Sequence, residues 1–217
     1  MTMDNVIIRK YREEDRPKVR EICYESVFLG EPVEAFFDDK EILADIMTLY
    51  YTDHEPGSMF VAEDSGRIVG YLAGCPDSRK CREIGRTSII PGVLRKVLIR
   101  GIIFKPKTAK LLFHSCIGLI KGEFNVPYME DYPAYFRVYI AKNYRKMGIG
   151  SRLLDAYLEH LREKQIKGVY SITVSEEEKM FLLNRDFKIL SSRTSRQLYR
   201  VVGKDFAVSA MVKKTDN

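Results

Sequence analysis

The sequence predicts an α/β protein in which helices cover a mixed β-sheet. Two patterns indicate this: short runs rich in β-branched and aromatic residues recur along the chain, and amphipathic segments with apolar residues three and four positions apart lie between them. The chain has 217 residues, of which 45% are hydrophobic, with 13 Tyr and 11 Phe. This content excludes a mostly disordered chain and is sufficient for a substantial core.

The first third of the chain predicts the element order βααββ. An acidic stretch before the first helix favours a helix start there, and an Asp-Ser-Gly turn joins the last two strands into a hairpin. The predicted elements are a strand at Val6–Arg9, helices at Pro17–Ile22 and Val33–Tyr51, and strands at Ser58–Glu63 and Arg67–Gly74.

A different pattern occupies Cys75–Pro133, which we interpret as a helical insertion between the third and fourth strands. Five prolines interrupt it, and two amphipathic helices are predicted at Val93–Phe104 and Thr108–Lys121. Between Arg79 and Lys110 there are ten basic residues and one acid, although the whole chain carries a net charge of only +6. The insertion is therefore the basic part of the sequence.

The remainder predicts the order βαβαββ. The most regular helix is amphipathic, with five apolar side chains on one stripe and charged residues elsewhere. The predicted elements are strands at Ala134–Ile140, Gly168–Val174, Phe187–Ser191 and Phe206–Val212, and helices at Gly150–Lys164 and Glu177–Asn184.

Several classes of protein are not supported by the sequence. The longest apolar stretch, Leu111–Ile120, is too short to span a bilayer, and Met1–Lys10 lacks the basic lead and cleavage site of a secretory signal. The four cysteines form no C-x-x-C pair and have no histidine at zinc-ligand spacing. We therefore expect a cytoplasmic protein with free thiols and no metal site.

The loop between the fourth strand and the regular helix is the most informative segment. It reads Asn143-Tyr144-Arg145-Lys146-Met147-Gly148-Ile149-Gly150-Ser151. Glycines at a helix start allow close approach of a ligand, and the unpaired amides of the first turn attract a phosphate. The loop could also be only a basic turn before an amphipathic helix. A dinucleotide fingerprint is not met because Leu153 replaces its third glycine, and no Walker sequence is present.

Residues Arg145–Gly150 match the pattern [QR]-x-x-G-x-[GA] and, with the element order, resemble the GNAT superfamily of acyl-CoA-dependent N-acetyltransferases. The likeness covers nearly the whole chain outside Cys75–Pro133. The stretch from Tyr132 to Gly150 also resembles the acetyltransferase-like domain of O-GlcNAcase. The resemblance implies the GNAT fold, one domain over residues 1–217 with the 75–133 insertion, and acetyl transfer to a primary amine acceptor.

The resemblance also implies positions for acetyl-CoA. Strand-end backbone groups would pair with the pantetheine arm, and the loop would hold the pyrophosphate. The implied cofactor residues are Val138, Tyr139, Ile140, Arg145, Lys146, Met147, Gly148, Ile149, Gly150 and Ser151.

The family's second motif is altered over Ser175–Phe187. The residues that differ from the family pattern are Ser175 for Asn, Glu178 for Ala, Leu182 for Tyr and Asp186 for Gly. In the family that Tyr often protonates the leaving thiolate, and a leucine has no proton to donate. Solvent or another hydroxyl would then do so, transfer would be slow, or the protein would bind acyl-CoA without turnover.

Amine attack on a thioester requires a proton acceptor near the acetyl group. Tyr139, Glu130 and Asp131 are the candidate bases on the fourth strand and its approach. For each of them, a solvated acid or a packed tyrosine is the favoured alternative. In the resemblance, Tyr170 stands where some family members carry a catalytic Glu.

Two other functions remain open from the sequence. One is a non-catalytic acyl-CoA-binding or regulatory module. The other is an adaptor for membrane surfaces or nucleic acid through the basic insertion, although Phe104 is the only aromatic residue between Arg79 and Lys110, which makes nucleic acid an unfavoured partner. The insertion could also form a lid over the acceptor, and the last strand could pair across a homodimer.

Overall fold

The computed structural model describes residues 5–26, 39–110, 129–194 and 207–215. Its centre is a seven-stranded sheet with the order β1-β2-β3-β4-β5-β7-β6. The strands are β1 (Val6–Lys10), β2 (Met59–Asp64), β3 (Arg67–Cys75), β4 (Ala134–Ile140), β5 (Gly168–Thr173), β6 (Lys188–Thr194) and β7 (Ala207–Lys214).

Six helices of seven or more residues accompany the sheet within the described ranges. They are α1 (Arg16–Ser26), α2 (Lys40–Leu49), α3 (Ser78–Ile84), α4 (Ile90–Ile99), α5 (Ile149–Glu163) and α6 (Glu176–Leu183). Short helical turns separate several of them, and residues 106–110 are also helical. The order confirms the predicted mixed α/β class.

All neighbouring strands are antiparallel except β4 and β5, which run parallel. A parallel connection needs a crossover, and α5 provides it. Its buried stripe of Leu153, Leu154, Tyr157, Leu158 and Leu161 packs on one face of the sheet. Helices α1, α2 and α4 contribute to a second apolar cluster, which includes Ile22, Ile42 and Val97.

Close packing between α5 and β3 depends on Gly74. A Cβ atom there would overlap the Tyr157 ring and the Ser58 carbonyl oxygen. The Tyr157 hydroxyl donates to the Tyr135 carbonyl oxygen at 3.1 Å and accepts from the Cys75 amide at 3.0 Å. Helix α5 is thereby held against β3 and β4.

The structure corrects several predicted boundaries. The helix predicted over Val33–Tyr51 begins at Lys40, because Asp39 is extended and its carboxylate accepts from the Glu41 and Ile42 amides. Helix α4 ends before Gly101, whose φ of 63° is left-handed, so the helix predicted over Val93–Phe104 does not continue. Helix α3 was not predicted as an element, and most of Thr108–Lys121 lies outside the described residues.

The expected pairing of the last strand across a dimer is wrong. Strand β7 lies between β5 and β6 and is hydrogen-bonded to both, so it has no free edge. The reason is topological: β6, which precedes β7 in the chain, forms the outer edge of the sheet and leaves β7 between β5 and β6.

Candidate functional site

Strands β4 and β5 diverge soon after they meet. Their only paired residues are Ala134 with Val169 and Tyr135 with Tyr170. From Phe136 to Ile140, β4 pairs with β3 alone, and the rest of β5 pairs with β7 alone. The Ser171 hydroxyl bridges the start of the gap by donating to the Phe136 carbonyl oxygen at 3.1 Å. One edge of β4 is therefore left without a neighbouring strand.

A groove of about 680 Å³ occupies this gap. Adjacent residues of β4 line it although their side chains point to opposite faces, so the groove runs along the strand's open edge. Its principal lining residues are Met47, Phe136, Arg137, Val138, Tyr139, Ile140, Arg145, Lys146, Gly148, Ile149, Gly150, Ser151, Ser171, Thr173, Glu177, Glu178, Phe181 and Leu182. Nine of the ten predicted cofactor residues thus lie together, whereas Met147 packs against the apolar cluster under α5.

The groove ends at the start of α5. Lys146 and Gly148 have φ values of 63° and 74°, which turn the chain sharply before the helix. No side chain caps the helix there. The first-turn amides are therefore available to an anion, and the helix dipole adds positive potential at the same place.

Two cations flank this helix start. The Arg145 guanidinium donates to the Ile140 carbonyl oxygen at 3.2 Å and to the Ser26 hydroxyl at 3.5 Å, which fixes it between β4 and α1. Lys146 is exposed and lies 3.3 Å from the Glu177 carboxylate. Arg145 is thus positioned by the fold, whereas Lys146 is held only by a surface ion pair.

The proposed bases occupy different places. Tyr139 lines the groove, but burial raises the pKa of its phenol, so the hydroxyl keeps its proton at neutral pH. Glu130 and Asp131 are exposed before β4, outside the groove lining, and Asp131 accepts from Lys214 at 3.1 Å. Tyr170 is buried against the Tyr135 ring, and burial raises its pKa to about 12.

Glu178 is the groove carboxylate that the sequence reasoning did not select. It lies on the first turn of α6, and its Oε2 accepts from the Thr173 hydroxyl at 2.7 Å. Although the residue as a whole is exposed, desolvation of its carboxyl group raises its pKa, an effect that the Thr173 hydrogen bond and the charges of Arg137 and Arg145 oppose. The signal in the sequence was its presence where the family pattern has Ala.

Leu182 lines the groove one turn further along α6 and is 3% exposed. It packs with Phe187 and Met211 in the cluster under α5. The position is therefore apolar, and the hydroxyls that line the groove belong to other residues, including Ser171, Thr173 and Tyr139.

The described part of the basic insertion packs beside α2. Lys96 contacts Asp45 at 2.5 Å, and Arg100 contacts Asp39 at 2.6 Å. Among residues 79–110, none lines the groove. The predicted lid over the acceptor remains a prediction, since residues 111–128 are outside the described ranges.

The sequence was compared with known protein families and with curated proteins. The profile of the "Acetyltransferase (GNAT) family" matches residues 112–180. No curated protein matches the chain by sequence.

Many solved structures share the fold. The structure of SsHAT is similar with a TM-score of 0.72 and 22% identity, covering 97% of this chain and 98% of that one. A polyamine N-acetyltransferase from Drosophila melanogaster, which forms N-acetylagmatine, has a TM-score of 0.62 and 16% identity, with coverage of 96% and 99%. YncA, a putative acetyltransferase from Salmonella typhimurium in complex with acetyl-CoA, has a TM-score of 0.59 and 12% identity, covering 99% of this chain and 96% of that one.

Two further observations concern other kinds of site. Within the described ranges, no helix has the length and apolar character needed to cross a bilayer. The same residues contain no group of three or more side chains suited to hold a metal ion.

Proposed function

We propose that this chain, whose residues 112–180 match the GNAT family model, is a GNAT acetyltransferase that transfers an acetyl group from acetyl-CoA to a primary amine. The observation that carries the proposal is the open edge of β4, which leads along the groove to the uncapped start of α5. An extended pantetheine arm, with its amide groups, could pair with such an edge as a further strand does.

The two ends of the groove suit the two ends of this cofactor. The backbone of Val138, Tyr139 and Ile140 would pair with the pantetheine arm. The amides of Gly148–Ser151, with Arg145 and Lys146 beside them, would hold the pyrophosphate. The thioester would then lie towards Phe136 and Arg137, where β4 and β5 separate.

The proposed reaction is a direct transfer in a ternary complex. The neutral amine nitrogen attacks the thioester carbonyl carbon and forms a C–N bond, and the C–S bond breaks as the tetrahedral intermediate collapses. The nitrogen loses one proton, and the departing thiolate gains one. The products are the N-acetylated amine and CoA.

Glu178 is the proton acceptor that we propose. It is a carboxylate in the groove, and its raised pKa brings it nearer to the value that favours proton transfer at neutral pH. Glu130 and Asp131 would require a relay of water molecules from outside the groove. The thiolate would be protonated by water or a groove hydroxyl, because Leu182 cannot do so.

A non-catalytic acyl-CoA-binding module is the second candidate. Leu182 favours it, because the side chain is apolar and buried where the family pattern has the thiolate's proton donor. Both candidates share the cofactor groove, so turnover separates them.

Calorimetric titration with acetyl-CoA, CoA and 3′-dephospho-CoA tests the cofactor proposal. We expect micromolar binding of acetyl-CoA. The absence of binding by folded protein free of co-purified CoA would overturn it.

An acceptor panel then tests the enzyme proposal by measuring release of free CoA. The panel includes polyamines and agmatine, the acceptor class of the similar Drosophila melanogaster enzyme, together with amino acids and N-terminal peptides. Tight binding of acetyl-CoA with no amine-dependent CoA release would favour the binding module.

A further inference from the structure

Arg137 differs from two other partly buried arginines, Arg9 and Arg20. Arg9 lies 2.7 Å from Asp15 and 2.6 Å from Glu63, and Arg20 lies 2.8 Å from Asp45 and 2.6 Å from Glu41. Among the described residues, no carboxylate lies within ion-pair distance of Arg137. Its contacts are instead neutral side chains.

Those neutral contacts occupy only part of the guanidinium. Its Nε donates to the Tyr135 hydroxyl, and its Nη1 lies 3.4 Å from the Tyr139 hydroxyl and 3.7 Å from Met47 Sδ. The described residues offer no acceptor to Nη2. A guanidinium stays charged at every physiological pH, and a partly buried charge normally has an opposite charge beside it.

The position of Arg137 places this charge at the reacting end of the groove. It lines the groove one residue before Val138, where pairing with the pantetheine arm is proposed to begin. Its side chain points to the face of β4 opposite α5, towards Met47 on α2. An acceptor entering from that face would meet Arg137 before it reached the thioester.

We propose that Arg137 binds a carboxylate of the acceptor, so that the substrate is an amine that also carries a carboxylate. This inference rests on the proposed acetyltransferase function. The free edge of the guanidinium matches a carboxylate in a two-bond geometry. Glu178 lines the same groove and would attract the acceptor's ammonium group, so the two side chains together suit a small zwitterion such as an amino acid.

The other charges of the groove are consistent with this assignment. Arg145 is held by Ile140 and Ser26, and Lys146 by Glu177, at the end proposed for the pyrophosphate. Arg137 is thus the groove cation at the opposite end. A diamine would place a second positive charge against it.

The test compares amino acids with their amides as acceptors in the wild type, Arg137→Gln and Arg137→Lys. We expect the wild type to prefer the acceptor that carries the carboxylate in each pair. In Arg137→Gln the ratio of the two kcat/KM values should fall about 10- to 100-fold, which corresponds to the loss of a hydrogen bond to a charged group. The loss should appear mainly in KM for the carboxylate acceptor. Comparing the same pair in both proteins cancels the different reactivity of the two amines.

Tyr135→Phe is the control for a purely structural role. It removes the hydroxyl that Arg137 contacts and keeps the ring. If Arg137 acted only by holding the tyrosines, Tyr135→Phe would reproduce the effect of Arg137→Gln, and the proposal would be overturned. Equal use of carboxylate and amide by the wild type, or a preference that survives in Arg137→Gln, would also overturn it.

A binding measurement tests the proposal if the protein shows no turnover or if the Arg137→Gln variant folds poorly. Thermal unfolding of the acetyl-CoA-saturated protein is followed with glycine or succinate, and with glycinamide, which keeps the ammonium group and lacks the carboxylate. We expect stabilisation by the carboxylates in the wild type and less in Arg137→Lys, which keeps the charge and loses the two-bond geometry. No stabilisation of the wild type would contradict the proposal. Failure of acetyl-CoA to bind would instead refute the proposed function, and the same probes would then test Arg137 in the unliganded protein.

Discussion

The two halves of β4 have different surroundings. At Tyr135 the strand has a partner on each side, Cys75 of β3 and Tyr170 of β5, whereas at Val138–Ile140 it has β3 alone. The first half is buried, and the second half is partly exposed along the groove. A strand edge left unpaired inside a sheet is costly unless a ligand or solvent completes its hydrogen bonds. The candidate site therefore lies where β4 lacks pairing with β5.

Gly148→Glu should have the largest effect on the groove beside the second half of β4. The substitution places a negative side chain where the pyrophosphate is proposed to bind, at a residue with a left-handed φ of 74°. We expect acetyl-CoA affinity to fall at least about 1,000-fold, which corresponds to an unpaired charge in a confined site. Calorimetric titration measures the affinity.

Gly66→Glu is the matched control for Gly148→Glu. Gly66 also has a positive φ, 82°, and lies in the β2–β3 hairpin away from the groove lining. The Gly66→Glu substitution should strain the backbone and add the same charge without affecting acetyl-CoA binding. Wild-type affinity in Gly148→Glu would refute the placement of the pyrophosphate.

Glu178→Gln sharpens the comparison within the open half. Loss of the proposed base should reduce kcat about 100-fold, and the variant should lack the rise in kcat/KM with pH that the wild type shows as Glu178 loses its proton. Gln can still accept the Thr173 hydrogen bond. A pH–rate profile of both proteins with a common acceptor measures the effect.

The same variant should be as stable as the wild type or more stable at neutral pH. The pKa of Glu178 is raised in the folded state, so its ionised form opposes folding above that pKa, and the penalty disappears at acid pH where the group is protonated. A variant with unchanged kcat would show that Glu178 is not the base. A loss of kcat accompanied by unfolding at neutral pH would contradict the assigned pKa direction.

Gly74→Ala tests the buried packing beside the first half of β4, where Gly74 pairs with Phe136. The new methyl group would overlap Tyr157 and the Ser58 carbonyl oxygen, so we expect the free energy of unfolding to fall by about 1–3 kcal/mol. Denaturant unfolding measures the change. Gly57→Ala is the control, because a Cβ atom there has no neighbour within 4 Å, and it should change stability by less than about 0.5 kcal/mol.

The fold was predictable from the sequence where periodicity and turn residues agree. The Gly150–Lys164 helix and the Ala134–Ile140 strand differ from the structure by one residue at most. The start of α2 at Lys40 was not predicted, because apolar spacing continues across Asp39, whose side chain caps the helix. The place of β7 could not be predicted, because strand order depends on contacts between distant segments.

Of the residues that line the groove, the sequence singled out those of the glycine loop and of the second half of β4. The glycine loop combines local backbone conformation with a helix start, so a short segment of sequence carries the information. Glu178 and Arg137 acquire their meaning from residues far apart in the chain, since α6 faces β4 across the groove. Apart from the position of Glu178, where the family pattern has Ala, local patterns contain nothing that distinguishes these two charges from solvated ones.

The insertion of β7 between β5 and β6 has a consequence for the order of assembly. Strand β6 follows β5 in the chain but cannot add to the sheet until β7 has taken its place against β5. Until then β5, one wall of the groove, has no antiparallel partner. Such long-range pairing is slow compared with local hairpin formation. We therefore expect β5 to lack its antiparallel partner until β7 docks, and competence to bind a ligand to be acquired only then.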